Sequence, residues 1–246
     1  MSQTLLPNLL PIRNGKIIDL KTCKVRDRTE EEIFDFECPV NFIDGTLPFA
    51  EKYFSQLTPE TNLLQKCLGY CLTGEISESQ NFFVIKGTGS NGKTTLMSVL
   101  DYMLSVLSRT MPHENLYTTE SPNIDLINSQ FINVRVGVYH EMNSNDFSQL
   151  CSNYGLKSFI AGETMIASDI NDNPFTFKPC VKIIMNTNND LNFNDKGMER
   201  RAVTIPFTSV FPNQPEFLTE LLTDHIDELF SWMCLGAKMW YDDQQF

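Results

Sequence analysis

The residues best suited to chemistry form one glycine-rich segment, called the phosphate loop below. It fits the pattern Gly-x4-Gly-Lys-Ser/Thr and consists of Gly87, Thr88, Gly89, Ser90, Asn91, Gly92, Lys93, Thr94 and Thr95. Successive backbone N–H groups around such glycines form a concave anion site, and the positive end of the following helix dipole faces the same anion. The Lys93 ammonium is predicted to reach the β- and γ-phosphates of a nucleotide, and the Thr94 hydroxyl to ligate Mg²⁺.

A second candidate is Glu141, which closely follows the apolar run 132–139. The carboxyl ends of buried strands form the edge at which ligands bind in open α/β sheets. A carboxylate there can hold Mg²⁺ through water and can orient or deprotonate an attacking water. Glu141 is therefore predicted to be catalytic and to contact the metal. His140, just before it, is either a pH-sensitive partner or an ordinary hydrogen-bonding residue at a strand end.

An amide and two arginines complete the candidate set. Asn188 follows the apolar run 181–185, where a neutral donor could position water beside the γ-phosphate, although asparagine is also an ordinary turn former. Arg200 and Arg201 precede the run 202–207. They are either salt-bridge surface, or one of them stabilises transition-state charge in the site of a neighbouring subunit.

The elements that must position these groups alternate between short apolar runs and amphipathic helices. The runs 82–85, 132–139, 181–185 and 202–207 are apolar enough to be buried on both faces of a sheet. Helices with one apolar face are predicted over residues 93–107 and 215–241. The pattern predicts an α/β fold in which a mostly parallel central sheet is flanked by helices.

The first 75 residues follow a different pattern. Residues 11–57 predict irregular and β structure, with turns at the pairs Asn14-Gly15 and Asp44-Gly45. A helix is predicted next, with Thr58 as its cap, Pro59 at its first position and Gly74 at its end. The chain is thus predicted to have three parts: a small α+β N-terminal region (1–75), a nucleotide-binding core (76–210) and a C-terminal helical segment (211–246).

The composition narrows the class of protein. The chain has 246 residues, of which 41% are hydrophobic and 11% aromatic, enough to bury a sizeable core and too many for low-complexity disorder. We expect no membrane span, because no stretch approaches 18 uninterrupted apolar residues, and no signal peptide, because the N-terminus lacks a basic region. The net charge of −12 argues against a broad basic surface for nucleic acid, but half of it lies in residues 211–246.

The cysteines predict a reducing compartment similar to the cytosol. Their number is odd, their spacing is irregular, and no Cys-x-x-Cys pair occurs: the seven are Cys23, Cys38, Cys67, Cys71, Cys151, Cys180 and Cys234. The three histidines lie far in sequence from the Cys67–Cys71 pair. Buried reduced thiols are therefore expected, and a zinc site is not.

Taken in order, the motifs resemble those of superfamily 3 helicases. The order is the phosphate loop, the strand before Glu141, the segment 174–179 (PFTFKP), the strand before Asn188, and Arg200-Arg201 ahead of Pro206-Phe207. The closest likeness is to the poxvirus-type primase–helicases of large DNA viruses, with phage and plasmid relatives. Residues 11–20 and Leu68-Gly69-Tyr70 also resemble the region before the ATPase in that family. The resemblance covers about residues 10–241.

The resemblance implies a P-loop ATPase of AAA+-like type that binds ATP and Mg²⁺. It also implies a ring of identical chains, usually a hexamer, which moves along single-stranded DNA with 3′→5′ polarity and hydrolyses ATP between subunits. A primase is implied in a longer polypeptide or as a partner, and a viral protein would act in the host cytoplasm or at a replication site. By position, the resemblance assigns the phosphate, catalytic, sensor and trans-acting roles to Lys93 with Thr94, Glu141, Asn188, and Arg200 or Arg201.

The segment 162–178 corresponds to the hairpin that contacts DNA in the central channel of that family. Ser168 stands where the related pattern usually has a basic residue, which leaves Lys157 and Lys178 as the DNA-binding candidates nearby, each of them otherwise a solvated charge. A ring needs positive charge only along its channel, so an acidic outer surface is compatible with DNA binding. The acidic segment 211–246 is then expected to face away from DNA.

The strand-end acid also departs from the family pattern. It is single, because His140 stands where a second carboxylate could be, so Mg²⁺ is expected to rely more on Thr94 and water.

Besides a replicative helicase module, two functions stay open: an ATPase motor that packages DNA or remodels proteins, and a subunit that binds nucleotide only for assembly. Asn91 and the segment 174–179 disfavour the first of these, and intact Lys93 and Glu141 disfavour the second.

Overall fold

The N-terminal region combines a small sheet with two helices. In a computed structural model, which describes residues 6–34, 36–111, 124–152, 154–168 and 173–246, three antiparallel strands come first: β1 (Leu9–Ile12), β2 (Lys16–Asp19) and β3 (Lys24–Asp27). The turn between β1 and β2 contains Asn14 and Gly15, both with positive φ, as predicted. Two helices follow, α1 (Pro48–Leu57) and α2 (Thr61–Leu72).

Helix α1 corrects the prediction of irregular and β structure up to residue 57. Its buried residues, Ala50, Tyr53, Phe54 and Leu57, recur at helical spacing. No side chain of its own segment caps its N-terminus. Instead the Glu228 carboxylate, from far along the chain, accepts the N–H groups of Phe49 at 2.6 Å and Ala50 at 3.1 Å. A negative charge at a helix N-terminus is favourable. Here it comes from a distant segment, so the sequence around α1 does not reveal it.

The start of α2 was also predicted slightly wrongly. The helix begins at Thr61, after Thr58 and Pro59, because Thr58 is extended and ends α1. The Thr58 hydroxyl accepts the Glu60 N–H at 3.2 Å, so it supports the turn between the helices instead of capping α2. Thr73, one residue before Gly74, ends the helix.

The centre of the structure is a five-stranded sheet whose neighbours all pair in parallel. Its elements and those around it are β4 (Phe82–Lys86), α3 (Lys93–Leu104), β5 (Ser108–Thr110), α4 (Ile124–Ser129), β6 (Val136–Tyr139), α5 (Ser144–Ser152), α6 (Tyr154–Ala161), β7 (Met165–Ala167), β8 (Phe175–Phe177), β9 (Lys182–Thr187), α7 (Lys196–Arg201) and β10 (Ala202–Pro206). The strand order is β10-β4-β9-β6-β5, and β7 pairs with β8 in a separate two-stranded sheet. The predicted α/β fold with a parallel central sheet is confirmed.

Two boundaries in the core differ from the predictions. Strand β6 covers only the second half of the predicted run 132–139, because Asn133 has a φ of +61° and residues 131–133 form a turn after α4. Helix α3 ends at Leu104, and residues 105–107 form a short 3₁₀ turn instead of completing the predicted helix 93–107. Ser105, with a φ of +50°, breaks the helix there.

The C-terminal segment is helical almost throughout, as predicted. It comprises α8 (Phe217–Glu220), a π-helical turn at Leu221–His225 and α9 (Ile226–Asp243). Among the helices of the described residues, none is long and apolar enough to cross a lipid bilayer. All seven cysteines are free thiols, and burial raises the pKa of Cys38 and Cys71 to about 12.

The three central strands, β4, β9 and β6, are buried on both faces, as their apolar runs predict. Strand β10 corrects the same prediction for the run 202–207, because it lies at the side of the sheet and is mostly half-buried. On β4, Phe83 and Ile85 join the cluster that contains α2, α3 and α9, whereas Phe82 and Val84 join a second cluster with α5 and α6. The N-terminal region, the P-loop strand and the C-terminal helix therefore share one hydrophobic core.

Two buried cations join the N-terminal region to the start of the sheet. Arg135 and Lys182, each 1% exposed, precede β6 and begin β9. The Arg135 guanidinium donates to the carbonyl oxygens of Leu9, at 2.6 Å, and of Leu72, the last residue of α2. The Lys182 ammonium donates to the carbonyl of Thr73, one residue further. Burial lowers the pKa of Lys182 to about 8, and the free carbonyls at the helix end offset part of the cost of burying charge there.

Helices α2 and α9 cross with their backbones in contact. A Cβ atom on Gly69 would lie 2.0 Å from the Ala237 nitrogen, and one on Gly236 would lie 2.0 Å from the Gln65 carbonyl oxygen. Both glycines are therefore required by close approach, even though glycine weakens a helix.

Replacing Gly236 with alanine is expected to lower the free energy of unfolding by about 3 kcal/mol, because the helices must separate to admit the methyl group. In an uncrowded helix the same change would stabilise by roughly 1 kcal/mol, so the sign alone is informative. Denaturant unfolding would measure the effect. Lys238→Ala, an exposed change on the same helix, is the control and should stay within about 0.5 kcal/mol of the parent. A Gly236→Ala protein as stable as the parent would contradict the close crossing.

Candidate nucleotide-binding site

The phosphate loop connects the end of β4 to the start of α3, which is the setting its mechanism requires. Gly89 and Gly92 have φ angles of +110° and +84°, and Gly92 caps α3 in the left-handed conformation. At Gly87 a Cβ atom would lie 1.9 Å from the Asn91 side chain and 2.6 Å from the Phe207 carbonyl oxygen. The loop therefore depends on glycine both for its turns and for its close packing.

Neighbouring strands hold the loop in place. The Gly87 N–H donates to the Thr187 carbonyl at the end of β9 (3.0 Å), and the Asn91 side chain donates to the Phe207 carbonyl after β10 (3.3 Å). On the other side, the Phe211 N–H donates to the Ser90 carbonyl at 2.7 Å. The loop is thus tied to both sheet neighbours of β4.

Lys93 lies at the centre of the site, with only 7% of its surface exposed. Its ammonium donates to the Gly87 carbonyl at 2.7 Å, to the Asn91 amide oxygen at 2.7 Å and to the Asn188 amide oxygen at 2.8 Å. Burial lowers the pKa of Lys93, and the charge of Glu141 acts in the opposite direction. The structure therefore brings together the loop, Asn188 and the Glu141 charge around one cation.

Asn188 and Glu141 reach this site from adjacent strands. Asn188 directly follows β9, and Glu141 lies two residues beyond the end of β6. The two strands pair in parallel, so both end at the same edge as β4. Glu141 and Asn188 are exposed at this edge, as is Thr94 on the first turn of α3. The sequence prediction that these residues share one edge agrees with the geometry.

Asn186 is a residue of the site that sequence reasoning missed. It lies within β9 and is 2% exposed, and its amide oxygen accepts the Glu141 N–H at 2.6 Å. A buried polar side chain in an otherwise apolar strand was the available signal, because such groups are almost always hydrogen-bonded to something specific.

The residues present fit a magnesium ion bound together with phosphates. Mg²⁺ is commonly held by one or two protein oxygens plus substrate phosphates and water, and the Thr94 hydroxyl and Glu141 carboxylate are such donors. Within the described parts of the chain, no group of three or more His, Cys, Asp or Glu residues could hold a metal ion by itself. A metal here would therefore depend on the bound nucleotide.

A cavity of about 500 Å³ opens beside the loop. Tyr53 and Leu57 of α1 line one side, Gly92 and Thr95 another, and Phe211 and Phe217 a third. Tyr53 is 6% exposed, and its buried hydroxyl has no hydrogen-bond partner among the described residues. The cavity thus has aromatic and aliphatic walls with some polar residues among them, and no local sequence pattern could predict it because its walls come from three separate segments.

The two arginines lie beside the amino-terminal ends of the parallel strands, whereas the phosphate loop lies at the carboxyl ends. They end α7, whose N-terminus is capped by Asp195 through the N–H groups of Gly197 and Met198. Strand β10 starts directly afterwards, with Ala202 beside Phe82 and Pro206 beside Lys86. Arg201 is therefore level with residue 81, six residues before the start of the phosphate loop at Gly87, which is about 20 Å at a rise of about 3.3 Å per residue. Arg200 is exposed, and Arg201 is half-buried.

The predicted DNA-binding segment contains the expected hairpin, formed by β7 and β8. Residues 169–172, between the two strands in sequence, lie outside the described part of the chain. Lys178 is exposed just after β8. Lys157 donates to the Asp195 carboxylate at 2.6 Å and lowers the pKa of that carboxyl group, a contact typical of a structural ion pair. DNA binding by either lysine stays a prediction.

Sequence comparisons match this chain to one protein family model and to proteins of two large DNA viruses. Residues 85–201 match the model of a family described as a family of unknown function, DUF5906. The chain is 25% identical over 238 residues to the putative helicase L207/L206 of Acanthamoeba polyphaga mimivirus, covering 91% of this chain and 24% of that protein. It is 24% identical over 190 residues to the putative helicase 022R of Frog virus 3 (isolate Goorha), covering 74% of this chain and 19% of that protein.

A solved structure extends the comparison to the fold. The C-terminal region of NrS-1, in an apo form, superposes with a TM-score of 0.59 at 15% identity, covering 81% of this chain and 49% of that one. The chain spans about a quarter or less of the two viral relatives. The predicted resemblance is confirmed: the chain is similar to putative helicases of large DNA viruses, and it has the α/β fold of P-loop nucleoside triphosphatases.

Proposed function

We propose that this chain is the ATP-hydrolysing module of a DNA helicase that acts in viral-type DNA replication. The main support is that four features lie together at the carboxyl ends of the parallel strands: the phosphate loop, Lys93, Asn188 and Glu141. The viral relatives, which are named putative helicases, support the choice of a helicase over other nucleotide-using proteins.

Each residue of the site has a separate role in the proposed transfer of the γ-phosphoryl group to water. Loop N–H groups and the Lys93 ammonium bind the β- and γ-phosphates, whose oxygens replace some of the acceptors that Lys93 now contacts. Thr94 and Glu141 would hold Mg²⁺ together with phosphate oxygens, and the ion would supply charge neutralisation there. Asn188 orients the attacking water, and Glu141 takes its proton as oxygen bonds to the γ-phosphorus and ADP leaves.

The cavity beside the loop suits the rest of the nucleotide. Aromatic and aliphatic walls favour a planar base, and the polar residues Gln56, Asn213 and Gln214 in the same lining offer hydrogen bonds to it. We therefore assign the nucleoside part to the cavity between α1 and residues 211–218. This placement makes the N-terminal region and the C-terminal segment part of the site.

The arginines support shared sites in a ring. Because Arg200 and Arg201 lie about 20 Å from their own phosphate loop, neither is placed to act there, and the exposed Arg200 is free to face another chain. A head-to-tail arrangement of identical chains, closed as a ring, would bring this edge against the loop edge of a neighbour. Hexameric assembly, movement on single-stranded DNA and association with a primase belong to the same proposal and extend to the longer protein.

The proposal is tested by measuring ATP turnover per subunit across protein concentrations, with and without single-stranded DNA. Turnover per subunit is expected to rise with protein concentration, because each site needs a neighbouring chain. It is expected to rise again with single-stranded DNA, because the DNA binds in the pore of the ring. A companion assay follows strand separation of a dye-labelled forked duplex. Turnover that is flat in both variables would contradict shared sites, and DNA-stimulated turnover without strand separation would favour a packaging or remodelling motor.

A further inference from the structure

The turn that carries Glu141 has an unusual backbone. Glu141 has a φ of +52°, a left-handed conformation that residues with a Cβ rarely adopt. Among the described residues, the exposed Glu141 side chain makes no hydrogen bond and no ion pair. The backbone sets the direction in which the Glu141 side chain leaves the turn, so whatever holds the backbone also limits where the carboxylate can reach.

The last two residues of β9 hold this turn from the neighbouring strand. The Asn186 side chain accepts the Glu141 N–H at 2.6 Å, and the Asn186 carbonyl accepts the Met142 N–H at 2.9 Å. The Thr187 hydroxyl donates to the Met142 carbonyl at 2.6 Å. Asn186, Thr187 and Met142 are all buried, so water does not compete for these bonds. Strained backbone of this kind persists only where the surroundings over-determine it.

The same strand end also fixes the other parts of the site. The Thr187 hydroxyl accepts the Asn189 N–H at 3.0 Å, which supports the turn that presents Asn188. The Thr187 carbonyl accepts the Gly87 N–H at the start of the phosphate loop. Asn186 and Thr187 together thus contact the phosphate loop, the turn that presents Asn188 and the turn that carries Glu141.

We propose that Asn186 is a positioning residue for hydrolysis: its amide oxygen, by binding the Glu141 N–H, keeps that residue left-handed and directs the carboxylate to the attacking water. The inference rests on the proposed role of Glu141. Asn186 does not touch the nucleotide; it acts through Glu141, as second-layer groups around a reacting centre commonly do. Nucleotide affinity, set by the loop and Lys93, does not depend on it.

The test is steady-state ATP hydrolysis together with equilibrium binding of a fluorescent ATP analogue. In Asn186→Ala, kcat is expected to fall by about tenfold to a hundredfold while the dissociation constant of the analogue stays within about twofold. Asn186→Asp keeps an acceptor oxygen at the same place and is expected to recover most of kcat. Asn192→Ala is the matched control, because its exposed side chain takes part in none of these contacts.

Three further results make the test decisive. If Asn186→Ala does not fold, as judged by thermal unfolding, Asn186→Leu removes the amide acceptor at similar side-chain volume, and kcat is again expected to fall with binding preserved. Asn186→Ala with unchanged kcat, or with kcat and binding lost together, would overturn the inference. Glu141→Gln separates the two proposals: if Glu141→Gln turns over like the parent, the proposed function of Glu141 fails, whereas an inactive Glu141→Gln beside a fully active Asn186→Ala defeats only the positioning role.

Discussion

Replacing Lys93 with alanine is expected to lower ATP turnover by about a thousandfold or more and to weaken nucleotide binding. The ammonium is the one buried cation of the phosphate loop, and it sits where the loop, Asn91 and Asn188 all direct an oxygen toward it. Removing a group that stabilises charge in the transition state of a preorganised site commonly costs a factor of 10²–10³, and this one also binds the ground state. Turnover would be followed as phosphate release.

The same change leaves three oxygens without their donor, so stability must be measured alongside activity. A loss of turnover in a protein that still unfolds cooperatively near the parent temperature assigns the effect to chemistry. Lys93→Met, which keeps most of the buried volume, should lose turnover equally. Lys24→Ala, at an exposed position on β3, is the control for removing a lysine. A Lys93→Ala protein that hydrolyses ATP at the parent rate would refute the assignment of the site.

Replacing Arg200 with alanine is expected to lower turnover by about a thousandfold while nucleotide binding is preserved. Arginines that act on a transferring phosphoryl group contribute factors of 10³–10⁵, and they do so without binding the ground state strongly. Exposure favours Arg200 over Arg201, which is half-buried and whose carbonyl accepts a hydrogen bond from the Asn81 side chain. Arg201→Ala is therefore expected to affect stability more than Arg200→Ala does. Arg109→Ala, an exposed change on β5, is the control.

The structure allows a sharper form of this experiment, which is complementation. A Lys93→Ala chain has no working loop but an intact arginine, and an Arg200→Ala chain has the reverse. Because the two groups lie at opposite edges of one sheet, a head-to-tail contact between the variants rebuilds one complete site. An equal mixture of the two inactive proteins is expected to regain about a quarter of the parent turnover. No recovery in the mixture, with both variants folded, would argue against a site shared between chains.

Local patterns determined much of what could be predicted of the candidate site. The phosphate loop is continuous in sequence, so its glycines, Lys93 and the strand–loop–helix setting were all predictable. The parallel sheet was predictable because strands buried on both faces read as apolar runs, whatever their partners are. Since parallel strands end at one edge, Glu141 and Asn188 could be placed beside the loop without knowing the strand order.

Only the tertiary structure decided the features that join distant segments. The helical spacing of α1 is local, but the charge partner of its N-terminus, Glu228, comes from the other end of the chain. The cavity has walls from three segments, and Asn186 acquires its role only because β9 lies beside β6. The position of the arginines at the far edge follows from the register of β10 on β4. Spacing along the chain carries local periodicity and turn chemistry, whereas these features depend on which surfaces pack together, and packing brings together residues that no short-range pattern connects.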